Sequence, residues 1–404
     1  MPLANYDSPV TEPTRSDPVL ATGFSICRGG PLYHVGARVG LLHGPGGLVR
    51  PGVALALLTW VPLAVLTFFE GVLSSGPRIG FWQSVGTHVR LLVAIPLFFS
   101  AEAVFDRRIA DVLRRIQQAG LILPREEPRL MAAVRQAIRW RDSWAIEAAL
   151  VILTAVLIVA GLRADLPLDV ATWRTRADGG PTPAGWWYVL VCIPVFQFLF
   201  WRWCWRLLIW TRFLWRLSRL DLQLIPTHPD AAGGLAGLGV AHVDLAPISL
   251  AMSAVLSASY AEQILFAGVP LTAFAISLAA AVIGGTLTLI APLAFFTPKL
   301  IEVKQRALLE YGTLAASYTR AFAAKWLRTD PPPDEPILGT PDLQSLADLG
   351  SSFELIRHMT VLPIVPSQVL LLAIAAALPF APLILLVIPL DQLIIDSARK
   401  MMNL

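Results

Sequence analysis

Two H-x-D pairs carry the densest polar chemistry in an otherwise apolar sequence. His228 and Asp230 form the first, and His242 and Asp244 repeat it fourteen residues on. Imidazole with carboxylate is a donor set that suits a divalent metal, and His228 with Asp230 also has the makings of an acid–base pair. Gly233, Gly234, Gly237 and Gly239 lie between the pairs, and a run of glycine amides can nest an anion such as phosphate or a lipid headgroup. The plainer alternative is a capped turn. Pro226 and Pro229 stop a helix, Thr227 and Asp230 serve as caps, and the glycines admit positive φ or close backbone approach. No Walker lysine, G-x-S-x-G or H-E-x-x-H accompanies these residues, so no nucleotide site, serine nucleophile or zinc-protease helix is indicated.

A second constellation is cationic. Arg202 and Arg206, with Arg212, Arg216 and Arg219, fall within an arc of roughly 140° on one helix. Charges at membrane depth are costly and usually face a bundle interior or water, often paired. Glu102, Asp106 and Glu147 are expected at the same depth and are the natural partners. The arrangement reads either as an anion-attracting vestibule or as interfacial arginines balanced by ion pairs. A third feature is a stripe of Ser249, Ser253, Ser257 and Tyr260, followed by Glu262. It can line a wet path, or let helices pack closely through small residues. Glu262 and Glu70 would sit at the outer surface, as an acidic mouth or simply in water, near His88.

The elements that position these residues are membrane helices. The chain is 55% hydrophobic and only 15% charged, with a mean hydropathy of +0.63, against about 25% charged residues in soluble domains. Cys27, Cys192 and Cys204 have no C-x-x-C spacing and read as single thiols. About 20 apolar residues span the hydrocarbon as a helix. Six such runs are visible: Pro51–Leu73, His88–Phe105, Ala145–Leu162, Trp186–Trp210, Leu245–Phe266 and Val269–Phe296. A further uncharged stretch from His358 to Asp391 is too long for one span, and Pro379 and Pro382 divide it into two short limbs. That predicts a broken C-terminal hairpin, or one tilted span with an interfacial helix. The fold class is therefore all-α and polytopic, with seven or eight membrane segments.

Loop charge gives the orientation. Segment 107–144 holds nine arginines, and the alternate loops are poorer in basic residues. The positive-inside rule then puts the N-terminus and the basic loops in the cytoplasm. Residues 1–50 read as an irregular cytoplasmic arm lying on the surface, with Cys27, His34 and His43 in no fixed geometry. No apolar core precedes Val53, so no cleavable leader is expected. The second, fourth and sixth spans run inward as long helices. The first two extensions end alike, as L-I-L-P at 121–124 and Q-L-I-P at 223–226, which hints at an internal repeat. Leu308, Tyr311, Ala315, Tyr318 and Phe322 form an apolar stripe on the third, and P-P-P-D-E-P at 331–336 is a stiff linker before a short helix.

The segments P-T-H-P-D-A-A-G-G-L at 226–235 and I-L-G-T-P-D-L-Q-S-L-A-D-L at 337–349 resemble a family of bacterial polytopic inner-membrane proteins. The resemblance implies a multi-span fold and carries no activity with it. The residues themselves point first to a homo-oligomeric channel or transporter for a small ion or solute. A membrane enzyme of lipid-linked phosphates built on His228, Asp230 and the arginines, and a scaffold docking a cytoplasmic partner, are the alternatives. Expected partners are membrane lipids and a second copy of the chain, with no nucleic acid; no cofactor is indicated.

Overall fold

The computed structural model describes residues 24–30, 49–73, 80–164, 173–176, 180–327 and 341–387. These form an all-α, polytopic membrane protein with seven helices long and apolar enough to cross a bilayer. Helix α1 is Val49–Leu73. Helix α2 runs over Val85–Gln118 and α5 over Pro183–Ser218. At 1.5 Å per residue they are about 51 and 54 Å long, some 20 Å more than the hydrocarbon needs. Each widens into a π-helical stretch near its start, Val89–Ala94 in α2 and Tyr188–Cys192 in α5. Each stretch leads directly into an Ile-Pro step, Ile95-Pro96 or Ile193-Pro194. Proline has no N–H to give and its ring crowds the preceding turn, and a wider turn relieves both.

The two extensions end side by side. Ile122 and Leu222 form an antiparallel bridge, and Gln223 N–H donates to Leu121 O at 2.8 Å. The similar tails of the two long helices thus pair with each other. Between them the chain makes α3, Glu127–Arg141, an amphipathic helix against α5. It then makes α4, Trp144–Ala164, a span that packs on α5. After the glycine-rich turn come α6, Ala236–Val243, and α7, Ala246–Ala267. Gly268 closes α7 at φ +67°, the left-handed cap that favours glycine. Helix α8 is Ala275–Ile290 and α9 is Thr297–Trp326, joined by a 3₁₀ turn.

The far half of α9 leaves the bundle and pairs with α10, Pro341–His358. The expected stripe of Leu308, Tyr311, Ala315, Tyr318 and Phe322 is half-buried in this arm, opposite Leu346, Leu349, Phe353 and Ile356 at alternating spacings of three and four. Asp342 fastens its end, accepting from Lys325 Nζ at 2.8 Å and Trp326 Nε1 at 3.1 Å.

Two expectations are corrected. The C-terminal stretch does not fold back at its prolines. Helix α11, Pro366–Ala377, tightens into a 3₁₀ turn at Leu378–Phe380 and continues as α12, Ala381–Val387. Ala377, Leu378 and Ala381 keep right-handed helical angles, so 366–386 is one candidate span. Residues 388–404 lie outside the described residues. The N-terminal arm, where it is described, is irregular as expected but is not a surface feature. Phe24, Ile26 and Cys27 are fully buried, and the segment threads between α2, α5 and the start of α4. His34, His43 and the Pro-rich linker lie outside the described residues.

Candidate functional site

The charged end of the bundle is organised by one ion pair. Arg206 on α5 donates from Nη1 to Glu102 Oε2 at 2.9 Å and from Nη2 to Glu102 Oε1 at 2.8 Å. Both side chains are 5% exposed. The same Nη2 reaches Cys27 O at 2.8 Å, and the guanidinium lies 5.3 Å from the Trp203 ring centre. This is the fork-to-fork geometry that makes arginine the residue for buried carboxylates.

Asp106, one turn along α2 from Glu102, holds the strap itself. Its Oδ1 accepts from Ser25 Oγ at 2.6 Å and from the amides of Ile26 and Cys27 at 3.1 Å each, and Arg28 closes on its Oδ2 at 3.3 Å. Arg141 Nη1 binds Ser25 O, and Asp142 accepts from Gly30 N–H. A Cβ on Gly30, whose φ is +94°, would stand 2.5 Å from Glu147 Oε1. Burial pushes the Cys27 thiol far up, so it is no nucleophile. Of the expected pairings, that of Arg206 with Glu102 is present, and the strap adds the Cys27 carbonyl to it.

Arg202, one turn earlier on α5, is different. Glu102 and Glu147 are within its electrostatic reach, yet its Nη2 is buried without a hydrogen-bond partner. Four of the five buried side-chain atoms that lack a partner among the described residues lie on α4 and α5. They are Thr154 Oγ1, Gln197 Oε1, Trp201 Nε1 and Arg202 Nη2. Sequence reasoning found Arg202 and missed the other three, although a glutamine and a threonine inside apolar runs were a signal.

The glycine-rich turn is filled by its own aspartate. Asp230 Oδ1 accepts from Ala232 N–H at 2.9 Å and Gly234 N–H at 3.0 Å, and Oδ2 from Ala236 N–H at 3.0 Å. His228 Nδ1 lies 2.8 Å from Oδ1. Burial raises the carboxyl, but these three amides and His228 outweigh it and hold it below the usual carboxylate range. Of the glycine amides expected to nest an external anion, that of Gly234 is therefore occupied from within. Gly233 and Gly234 have φ of +65° and +97°, and a Cβ on Gly234 would sit 2.6 Å from Leu121 Cδ1. Gly237 brings α6 against Val112 of α2.

The second pair does not join the first. His242 is fully buried, accepting on Nε2 from Trp210 Nε1 at 2.8 Å and meeting Leu289 O from Nδ1 at 2.7 Å. Asp244 binds Arg108 at 2.7 Å. With both histidine nitrogens used, the set is not a metal site, and no group of three His, Cys, Asp or Glu among the described residues is placed to hold one.

The serine stripe lies in helix contacts. Ser257 Oγ donates to Pro379 O at 2.6 Å, and a Cβ on Gly285 would stand 3.6 Å from Ser249 Oγ. Ser253 is buried, and Tyr260 stacks on Phe274 at 4.3 Å. Glu262 accepts from Gly86 N–H at 2.9 Å and Ser84 Oγ at 3.2 Å, capping α2. Glu70 receives Ala184 N–H at the start of α5. Carboxylates at helix N-termini are stabilising, and both occupy such positions. His88 repeats the pattern of His242, taking Trp60 Nε1 on Nδ1 and meeting Phe81 O from Nε2.

Two cavities flank α5. A lateral one of about 220 Å³ is lined by Cys204, Leu208, Thr211, His242, Leu245 and Thr288. A second of about 10 Å³, between α3 and α5, is lined by Ala137, Trp140, Arg212 and Arg216 among others. No candidate from the serine stripe or the glycine-rich turn lines either. Compared with known proteins, the chain matches no family model, no curated protein and no solved structure.

Proposed function

We propose that this chain is a membrane transport protein for a small ion or solute, working as a homo-oligomer in a bacterial cytoplasmic membrane. Its arginine-rich end faces the cytoplasm, since the positive-inside rule favours that orientation. The supporting observation is on α4 and α5, which carry four buried polar side-chain atoms without hydrogen-bond partners among the described residues. Ionisable groups within a span face the bundle interior or a water-filled path and mark substrate or ion pathways. Glu102, Asp230, Ser257 and Glu262 are taken up by pairs and caps, which leaves α4 and α5 with most of the polar atoms that have bonds to make.

The test is flux into liposomes reconstituted with the purified protein, across a panel of cations and anions and both signs of membrane potential. Flux above empty liposomes that changes in Arg202→Met supports the reading. No flux under any condition overturns it. The arm of α9 and α10 favours a second reading, a scaffold. It stands clear of the bundle with Leu309 74% and Leu343 45% exposed, and a partner-binding role predicts that deleting it leaves flux intact.

A further inference from the structure

The lateral cavity of about 220 Å³ beside α5 has polar residues in its wall but few bonds to offer. His242 commits one ring nitrogen to Trp210 and the other to Leu289 O. Thr288 gives its hydroxyl proton to Gly284 O at 2.7 Å. Apart from Cys204 and Thr211, the rest of the wall is Leu207, Leu208, Trp210, Leu245, Leu289 and Pro292. An ion or a sugar would shed its water here and find little to replace it. Hydrocarbon suits the space better. An apolar cavity of about 150 Å³ stays dry and takes benzene or xenon, and a guest restores the dispersion contacts that the lining of a void forfeits.

The mouth of the cavity opens on the apolar flank of the bundle. Leu208 in its wall is 51% exposed, and Ile283 and Leu287 beside Thr288 on α8 are each 59% exposed. One and two turns back along α8 from Thr288 stand Gly284 and Ala280, both exposed. A Cβ on Gly284 would meet nothing within 4 Å, so a shallow channel continues from the mouth along α8. Pro292, in the 3₁₀ turn on which α5 packs, lines the end nearer the arginines.

The level identifies the source of the hydrocarbon. Cys204 lies 21 residues past Pro183, where the α5 span begins, which is about 32 Å along it. Thr288 lies 17 residues past Leu271, where its own span begins, which is about 27 Å. The hydrocarbon layer is ~30 Å thick, so the cavity sits at its edge on the arginine-rich side. The ester groups of a lipid lie at that edge, and its chains run from there toward the bilayer middle. The channel past Gly284 and Ala280 runs the same way.

We propose that this cavity binds one acyl chain of a lipid from the leaflet on the arginine-rich side. The ester end lies near Cys204 and Thr211, and the methylenes run past Thr288, Gly284 and Ala280. The inference goes beyond the transport reading and does not rest on it.

The experiment is photolabelling of the purified full chain in dodecylmaltoside, whose excess displaces loosely held lipid. A phosphatidylcholine carrying a diazirine on an upper methylene of one chain is added at rising ratio, irradiated, and its adducts are mapped by mass spectrometry after trypsin. Cleavage at Arg206 and Arg212 isolates residues 207–212, four of which line the cavity. Cleavage at Arg141 and Arg163 isolates 142–163 of α4, whose span window is only 6% buried and serves as the lipid-facing control. Adducts on 207–212 are expected to saturate and to exceed the control, per residue, by at least about threefold. Thr288→Phe and, separately, Cys204→Phe fill the space and should each lower that labelling by about half or more, with the control unchanged. Labelling of 207–212 no greater than the control, or undiminished in both filled variants, overturns the proposal.

Discussion

Arg206 and Arg202 stand one turn apart on α5 and near the same carboxylates, yet their surroundings differ. Arg206 has both oxygens of Glu102 and the carbonyl of Cys27. Arg202 has a buried nitrogen with nothing to bind. A completed buried pair holds two helices and a strap in register. An incomplete one costs stability and returns none, and proteins keep such groups where a ligand completes them. The comparison separates the part of the charged end that is architecture from the part that has chemistry to spare.

The sharpest way to break this distinction is to remove each guanidinium in turn. Arg206→Met leaves Glu102 buried and uncompensated, which costs about 3–5 kcal/mol. Arg202→Met removes a buried nitrogen that lacks a hydrogen bond and is expected within about 1 kcal/mol of wild type, or more stable. Denaturant unfolding of both in the same detergent checks this. Equal losses would mean that Arg202 is as structural as Arg206. The double variant Arg206→Met/Glu102→Leu sharpens the result. Replacing both partners by apolar groups should recover most of the single-variant loss, because the pair is coupled and its buried charge is gone.

Much of this pair was legible in the sequence, because depth is readable from hydropathy. Arg206, Glu102, Asp106 and Glu147 all fall at the inner ends of apolar runs, and charges at one depth must pair or face water. The strap was not legible. Phe24–Gly30 has no periodicity, and its partners Asp106 and Arg206 are 79 and 179 residues away from Cys27. The capping of the Ala232, Gly234 and Ala236 amides by Asp230 escaped for a related reason. The sequence shows that the amides are available for an anion, but not that the nearest carboxylate is the anion. At the C-terminus Pro379 and Pro382 suggested reversal. The helix absorbs Pro379 in a 3₁₀ turn, where its carbonyl also receives Ser257, and Pro382 in the first turn of α12.

The glycine-rich turn tests the same contrast at smaller scale, since its carboxylate, like Glu102, has both oxygens bonded. Asp230→Ala frees three backbone amides at a helix start and should cost about 1–2 kcal/mol. Gly234→Ala places a Cβ against Leu121 at φ +97° and should cost about 1–3 kcal/mol. The pH dependence has a definite sign. The folded carboxyl of Asp230 lies below its unfolded value of about 4, so its contribution is complete above that pH. It is lost as pH falls through the lower, folded value. Unfolding midpoints of wild type and Asp230→Ala should therefore converge in acid. A constant gap from neutral pH to strong acid would mean that the carboxylate charge is not what holds the turn.

The smallest effect is expected at the arm, where the pair is complete but wet. The hydrogen bonds from Lys325 and Trp326 hold the Asp342 carboxyl below its usual range. Water screens an exposed ion pair, so little of this reaches global stability. Asp342→Asn keeps an acceptor for Trp326 and removes the charge facing Lys325. Its unfolding midpoint should match wild type, while amide exchange quickens around 318–327 and 341–346 and stays unchanged in α2 and α5. The stabilisation is present above the unfolded carboxylate pKa and fades as pH falls through the folded one, so the exchange difference should vanish in acid. Faster exchange throughout the bundle would tie the arm's end to the core and contradict its placement as an independent projection.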